Sequence, residues 1–180
     1  MIMQQVSKTH KNQWGSYGDR RNSFDDNTDI KLFKQLVAST PDLKDYIRSY
    51  LPKGEFTFRN HPYGQYGVDL SLINGKEQIV ATFDVERWSE WKDEWPPYYK
   101  WIHFLGRKEK FLQDNFFMIY MNFYRTKVII LDNRTIEEFP TINKTFKTKK
   151  VKDMVKEIPM NRGRIYGNDI TYKERMLFAE

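Results

Sequence analysis

Residues 68–86, VDLSLINGKEQIVATFDVE, contain two segments in which apolar residues alternate with polar ones. Apolar residues occupy every second position in Val68–Leu72 and again in Ile79–Val85, which is the period of strands that bury one face. Asn74-Gly75 between the two segments is typical of a hairpin turn. We therefore predict two antiparallel strands joined by a short loop.

This hairpin places its acidic residues on one face for either of two loop lengths. A two-residue turn pairs Asp69 with Val80, and a four-residue loop pairs Asp69 with Thr82. In both registers Asp69, Asp84 and Glu86 share a face, and the apolar residues share the opposite face. The longer loop brings Asp69 within roughly 5 to 8 Å of Asp84, whereas the tight turn leaves them more than about 10 Å apart.

Two interpretations of the acidic face are open from the residue pattern. Carboxylates gathered on a sheet repel one another unless cations neutralise them, and oxygen-only ligands suit Mg²⁺, Mn²⁺ or Ca²⁺. The alternative is a solvated outer face of an antiparallel sheet, where acidic side chains are ordinary.

A tryptophan-rich connection and a basic segment follow the hairpin. Between Trp88 and Trp101, Pro96-Pro97 excludes a continuous helix, and we expect the aromatic residues to seal the core, with a base-stacking surface as the alternative. The spacing in Trp101–Leu112 predicts a helix whose apolar stripe includes Lys108. His103, Arg107 and Lys110 form a neighbouring cationic stripe on that helix.

This layout resembles the PD-(D/E)XK nuclease superfamily, including small phage-type members. The resemblance covers residues 29–131, with Asp69 as the first acid and Asp84-Val85-Glu86 as the second motif, fifteen residues further along. Glu86 stands where the family usually has lysine. Lys108, or less readily Lys110, on the following helix is the candidate replacement for that lysine.

The resemblance implies both a fold and an activity. The fold is α/β with a restriction-endonuclease-like core, which runs helix, three-strand meander, helix, strand, in a mixed central sheet flanked by helices. The activity is that of a Mg²⁺-dependent (or Mn²⁺-dependent) endonuclease that hydrolyses phosphodiester bonds of nucleic acid, with DNA as the expected substrate. Asp69 and Asp84 would bind the metal, Glu86 would help to hold it or orient the attacking water, and Lys108 would stabilise charge developing on the phosphate. Cutting both strands of a duplex would favour a homodimer.

Two other functions remain compatible with the sequence. A restriction-endonuclease-like domain can bind nucleic acid or protein without cutting, for instance as a viral accessory or structural protein, because fold does not fix function. The other compatible function is that of an unrelated α/β interaction module whose acidic face is solvated.

Charge and composition favour an anionic partner and exclude several catalytic schemes. The net charge is +6 with a pI near 9.3, which suits a polyanion. Residues 143–156 read as an amphipathic helix rich in lysine. From it Lys147, Lys149 and Lys150 are candidate nucleic-acid contacts, together with His103, Arg107 and Lys110. Cysteine is absent, which excludes disulfides, thiolate metal sites and cysteine nucleophiles.

The domain organisation is simple. Residues 1–28 are polar and aperiodic and are predicted to be a flexible N-terminal arm, and residues 29–180 form a single domain. Within it we predict a helix pair over residues 29–51, a short strand at residues 55–59, a central strand at residues 115–122 and its partner at residues 126–131. No apolar run is long enough to span a membrane, so we expect a cytoplasmic protein, in the host cytoplasm if it is viral.

Overall fold

The computed structural model describes residues 16–60, 67–146 and 151–167, with side chains described for residues 28–60, 67–145 and 153–167. The α-helices are α1 (Ser16–Ser39), α2 (Pro41–Arg48) and α3 (Asn133–Glu137), and two 3₁₀ helices span Gly106–Phe111 and Met160–Arg162. The strands are β1 (Thr57–Asn60), β2 (Leu70–Ile73), β3 (Ile79–Trp88), β4 (Trp101–Leu105), β5 (Phe116–Asn122), β6 (Lys127–Asp132), β7 (Thr141–Phe146), β8 (Val151–Pro159) and β9 (Arg164–Gly167).

Six of the strands form a mixed sheet in the order β1-β2-β3-β5-β6-β9. The first three are consecutive and antiparallel, and β5 then pairs parallel to β3 after the chain has crossed over the sheet. The crossover includes β4, which joins β7 and β8 in a second, three-stranded sheet in the order β4-β8-β7. The predicted α/β class with a mixed central sheet is confirmed.

Helices α1 and α2 cover one face of the large sheet. Phe33 and Leu43 from these helices are buried in a core with Phe83 and Phe117, whose rings stack at 5.2 Å on adjacent strands. The predicted helix pair is therefore present. Helix α1 begins at Ser16, so residues 16–28, which were assigned to the arm, are helical, and residues 1–15 lie outside the described part of the chain.

The small sheet covers part of the opposite face of the large sheet, and the helix predicted over Trp101–Leu112 is wrong. This segment instead forms β4 and the first 3₁₀ helix. Ile102 and Phe104 alternate into a core with Met118 of β5, while His103 of β4 pairs with β8. The paired residues of β4 and β8 are far apart in the chain. The helical spacing of apolar residues in Trp101–Leu112 therefore does not indicate a helix, because pairing with a distant strand decides the structure of this segment.

The helix predicted over residues 143–156 is also wrong, because β7 and β8 form an antiparallel hairpin there. Val155 and Ile158 suggest a helical stripe, but both lie on β8, where Val155 pairs with β4 and β7 and Ile158 pairs with β4. The three lysines between the strands, Lys147, Lys149 and Lys150, lie outside the described residues.

The predicted β2–β3 hairpin is present, but both of its proposed registers are wrong by two or four residues. Leu70 pairs with Phe83, and the connection is longer because a bulge follows Leu72. The Asn74 side chain accepts hydrogen bonds from the backbone N–H groups of two loop residues, which stabilises a wider loop than a tight turn. A shift of two residues preserves which side chains share a face, and the predicted apolar face is present for Leu70, Leu72, Ala81, Phe83 and Val85. It is wrong for Val68, which is buried in the core on the opposite side of the sheet, and for Ile79, which is exposed.

The tryptophan-rich connection seals one end of the core, as expected. Trp91 is almost completely buried with residues of β4 and β5, and its ring meets that of Trp95 at 5.4 Å. Trp95 donates its indole N–H to the carbonyl oxygen of Tyr99 at 2.6 Å. None of the helices that the structure describes is long and apolar enough to cross a membrane.

Candidate acid–lysine site

Asp84 and Glu86 project from β3 toward the side of the large sheet that carries the small sheet. Their alternation with Phe83 and Val85, which are buried under α1 and α2, fixes this direction. Asp84 is only 6% exposed, whereas the Glu86 side chain is 38% exposed. The acidic face is therefore not a solvated outer face, and the site opens to solvent on the Glu86 side.

Lys108 from the first 3₁₀ helix joins the two carboxylates. Its Nζ lies 2.6 Å from Asp84 Oδ2 and 3.2 Å from Glu86 Oε2, so one ammonium donates to both acids. Gly106 permits this placement, because a Cβ there would stand 2.7 Å from the carbonyl oxygen of Met154 on β8. The predicted proximity of Lys108 to Asp84 and Glu86 is thus observed, although from a 3₁₀ helix rather than an α-helix.

The electrostatics of the site keep Lys108 charged. Burial alone would lower the pKa of Lys108, but the charges of Asp84 and Glu86 outweigh it and hold that pKa above its ordinary value. Tyr120, which pairs with Glu86 across β3 and β5, is buried against the site. Burial, followed by the charge of Glu86, raises the pKa of Tyr120 well above its ordinary range, so its hydroxyl stays protonated and donates to the carbonyl oxygen of His103.

Asp69 lies immediately before β2, whose first pair with β3 is Leu70 with Phe83. The backbone N–H of Asp69 donates a hydrogen bond to the carbonyl oxygen of Phe83, and Asp69 Oδ2 accepts a hydrogen bond from the backbone N–H of Val85 at 2.8 Å. The carboxylate therefore continues the ladder past the end of β2 and has a structural role beside any role at the site. Asp69 therefore lies beside the Phe83–Val85 segment that carries Asp84.

The other predicted contacts are distributed differently from the single stripe that was expected. His103 lies on the face of the small sheet that points away from the large sheet, where its Nε2 meets Glu157 at 3.1 Å. Arg107 and Lys110 are exposed on the 3₁₀ helix that carries Lys108. His103 is thus separated from the site, whereas Arg107 and Lys110 flank it.

Sequence reasoning missed the partners of His103 and the neighbour of Glu86. Lys144 of β7 donates to Glu157 at 2.6 Å, and this hydrogen bond lowers the pKa of the Glu157 carboxyl below its usual range. Tyr120 was also missed because it sits in a continuous apolar strand with no local signal. Only the pairing of distant strands brings these residues to their positions.

The donor set fits a hard cation in part. Within residues 16–60, 67–146 and 151–167, no group of three His, Cys, Asp or Glu side chains is arranged to hold a metal ion. Asp84 and Glu86 nevertheless supply two carboxylates, and Lys108 contacts one oxygen of each. Mg²⁺ is commonly bound by one or two carboxylates, with waters and substrate phosphates as the remaining ligands, so these two residues suit Mg²⁺ or Mn²⁺.

The chemistry available at this site is that of two carboxylates and a charged ammonium on the face of a central β-strand. Such a set can bind a cation, position a water molecule and neutralise a phosphate. No protein-family model, curated protein or solved structure matches the chain.

Proposed function

We propose that the protein is a metal-dependent nuclease whose active site is formed by Asp84, Glu86 and Lys108. The observation that carries this proposal is the meeting of one lysine with two carboxylates, at 2.6 and 3.2 Å, in a recess partly open to solvent. A buried ion pair contributes little net stability compared with a well-packed apolar core. A recessed, charged cluster of this composition is more readily explained by function, because perturbed ionisable groups concentrate at functional sites.

Asp84 and Glu86 would hold the divalent cation through the oxygens that Lys108 does not contact. When bound, such a cation supplies a hydroxide nucleophile near neutral pH and offsets negative charge on the phosphate. Asp69, whose carboxylate accepts the backbone N–H of Val85, would add negative charge near the cation site and position β2 against β3.

Lys108 would act as a fixed positive charge and not as a base. Its pKa is held above the ordinary value by the two acids, so it carries no lone pair at neutral pH. A phosphate oxygen approaching Asp84 and Glu86 would meet this ammonium, which stabilises the extra negative charge of the transition state. Arg107 and Lys110, exposed on the same 3₁₀ helix, would contact neighbouring phosphates.

The order of elements also supports the proposal. A helix pair, three antiparallel strands, a crossover and a strand parallel to the third follow one another, as in a restriction-endonuclease-like core. The chain departs from that pattern in the crossover, which contains β4 and a 3₁₀ helix where the family has an α-helix. The lysine arrives from this altered crossover, so the proposal rests on the site more than on the topology.

One observation favours a second candidate, a binding protein without catalytic activity. Lys108 already compensates Asp84 and Glu86 in the structure, and in the described residues a third acid does not complete a metal site. In this alternative the pairs of Lys108 with Asp84 and Glu86 would stabilise the fold, and Arg107 and Lys110 would bind a nucleic acid backbone.

A cleavage assay with a matched control tests the proposal. Supercoiled plasmid, linear duplex and single strands of DNA and RNA are incubated with Mg²⁺, Mn²⁺ or EDTA. We expect cutting that requires metal, is lost in Asp84→Asn and persists in Asp45→Asn, which changes an exposed acid on α2. Absence of cutting by the wild-type protein on every substrate would favour the binding function.

A further inference from the structure

A cleft of about 410 Å³ lies beside the acid–lysine site, between the start of β3 and the end of the first 3₁₀ helix. Thr82 and Ile79 of β3 line it on one side, and Lys110 and Phe111 of the 3₁₀ helix line it on the other. Its volume falls in the range of about 300 to 1,000 Å³ that is usual for small-ligand sites.

The cleft and the acid–lysine site lie along the same two elements, β3 and the first 3₁₀ helix. Thr82 precedes Asp84 by two residues on the same face of β3, which places their Cα atoms about 6 to 7 Å apart. Lys110 follows Lys108 by two residues on the 3₁₀ helix. A chain of nucleotides that presents one phosphate to Asp84 and Lys108 would therefore direct the adjoining nucleotide toward this cleft.

Thr82 carries an unused hydrogen-bonding group at the wall of the cleft. The Thr82 side chain is buried, with 4% of the residue exposed, and within the described residues its Oγ1 has no hydrogen-bond partner. A buried hydroxyl without a hydrogen-bond partner is costly, and a valine at position 82 would not carry that cost. A polar group that enters the cleft would therefore meet this hydroxyl at the wall, with no competing partner among the described residues.

The remaining walls match the chemistry of a nucleotide. Ile79 offers an exposed apolar surface at the rim, which suits the face of a base. Lys110 offers a cation for a phosphate, and Gln113 and Asp114 offer amide and carboxylate groups for the edge of a base.

The acid–lysine site itself is recessed. Asp84 is 6% exposed and the Lys108 side chain is 16% exposed. A single strand bends more readily than a stiff duplex, so it follows a recess of this kind at a lower cost in deformation. Single strands bend into such sites and leave their bases available for apolar contact.

We propose that this cleft receives an unpaired nucleotide beside the scissile phosphate, and that the substrate class is single-stranded or locally unpaired nucleic acid. This inference rests on the proposed nuclease function, because only a nuclease has a scissile phosphate. Binding of a nucleotide in the cleft does not require cleavage.

The test measures binding in EDTA, where cleavage does not occur. Fluorescence anisotropy compares a labelled single-stranded 12-mer with the same sequence as a duplex, for wild type, Thr82→Val and Lys110→Gln. Thr40→Val is the matched control, because Thr40 Oγ1 is likewise buried and without a partner among the described residues but lies at the start of α2. Urea unfolding of all four proteins checks that each is folded.

We expect the single strand to bind at least tenfold more tightly than the duplex. Thr82→Val should weaken single-strand binding about three- to tenfold, the effect of one hydrogen bond, without loss of stability. Lys110→Gln should weaken it and reduce the salt dependence by about 0.7 in log–log slope, the contribution of one phosphate contact. Thr40→Val should bind as the wild type does.

The inference is overturned if duplex and single strand bind equally, or if Thr82→Val and Lys110→Gln bind as Thr40→Val does. Its failure is distinguishable from failure of the nuclease proposal. Metal-dependent cutting with equal binding of both substrates would overturn the cleft assignment alone. Selective single-strand binding that needs Thr82 and Lys110, without cutting, would uphold the cleft as a nucleotide site and overturn the nuclease function.

Discussion

The Lys108 ammonium lies 2.6 Å from Asp84 Oδ2, although the two residues are 24 positions apart in the chain. The parallel return of the chain from β3 to β5 makes this contact possible, because it carries the 3₁₀ helix back across the face of β3 that holds Asp84 and Glu86. Lys108 is bound to two acids and mostly buried, so its removal has consequences for stability as well as for any chemistry.

Lys108→Met is expected to destabilise the protein by about 3 kcal/mol, because breaking a buried ion pair leaves a charge without compensation. Urea unfolding at neutral pH measures the effect. The double variant Lys108→Met/Asp84→Asn should recover part of the loss, since the remaining buried group is then neutral. Arg59→Met, which removes the exposed pair with Glu77, should change stability by no more than about 0.5 kcal/mol. Equal stability of Lys108→Met and wild type would show that the ion pair is not formed in solution.

Substitutions of Asp69 should separate its structural role from its role at the site. Asp69→Ala removes the acceptor of the Val85 N–H and should cost about 1 to 2 kcal/mol. Asp69→Asn keeps an acceptor oxygen and should be close to wild type in stability, while its cleavage rate falls if the charge of Asp69 supports the cation. A combination of urea unfolding and cleavage assays on both variants measures this split. If Asn lowers stability as much as Ala does, the hydrogen bond to Val85 is not what Asp69 contributes.

The stability of the protein should fall in acid partly through Asp132. Burial raises the pKa of the Asp132 carboxyl, but the Tyr50 hydroxyl at 2.5 Å and the Thr135 N–H outweigh it and hold that pKa below its ordinary value. A depressed pKa in the folded state contributes stability above the ordinary pKa, near 4, and the contribution disappears as pH falls through the folded-state pKa.

Tyr50→Phe removes part of that depression, so its stability deficit relative to wild type should be larger at pH 7 than at pH 3. Urea midpoints at both pH values measure the deficit. Tyr98→Phe changes an exposed tyrosine and should show no such pH dependence. A deficit for Tyr50→Phe that is the same at both pH values would mean that the Tyr50 hydroxyl does not act through the charge of Asp132.

Divalent metal should stabilise the folded protein and compete with Lys108. At 100 times its dissociation constant, Mg²⁺ or Mn²⁺ should add about 2.7 kcal/mol to the unfolding free energy. Asp84→Asn should abolish this increment, and Lys108→Met should bind metal more tightly because the competing ammonium is gone. Calorimetric titration and thermal melts measure both effects. Metal stabilisation that is unchanged in Asp84→Asn would place the binding elsewhere.

Local sequence patterns predicted the acidic face because an error of two or four residues in the strand pairing leaves each side chain on the same face of the sheet. The β2–β3 register was misjudged by two or four residues, yet Asp84 and Glu86 share the face opposite Phe83 and Val85, where both contact Lys108. The continuous apolar run of β5 likewise identified a central strand, since a strand buried on both sides needs no alternation.

The elements that local patterns misassigned are those decided by distant pairing. Trp101–Leu105 and Val151–Pro159 each contain apolar residues at helical spacing, and each becomes a strand because the two pair with one another across the sequence. The contact of Lys108 with Asp84 and Glu86 was expected from the family resemblance alone, because no local pattern relates residues so far apart in the chain. Tyr120 and Glu157 had no local signal, because their neighbours belong to other strands.

The most direct test of the acid–lysine site is a single-turnover cleavage rate at saturating metal, measured on the substrate that wild type cuts best. Lys108→Met is compared with wild type and with Arg59→Met, both variants being assayed at a temperature where they are folded. We predict that Lys108→Met cuts at least about 100-fold more slowly although it binds metal, because a fixed charge that stabilises the transition state is lost. Arg59→Met should cut at the wild-type rate. Cleavage by Lys108→Met at the wild-type rate would contradict the assignment of Asp84, Glu86 and Lys108 as the active site.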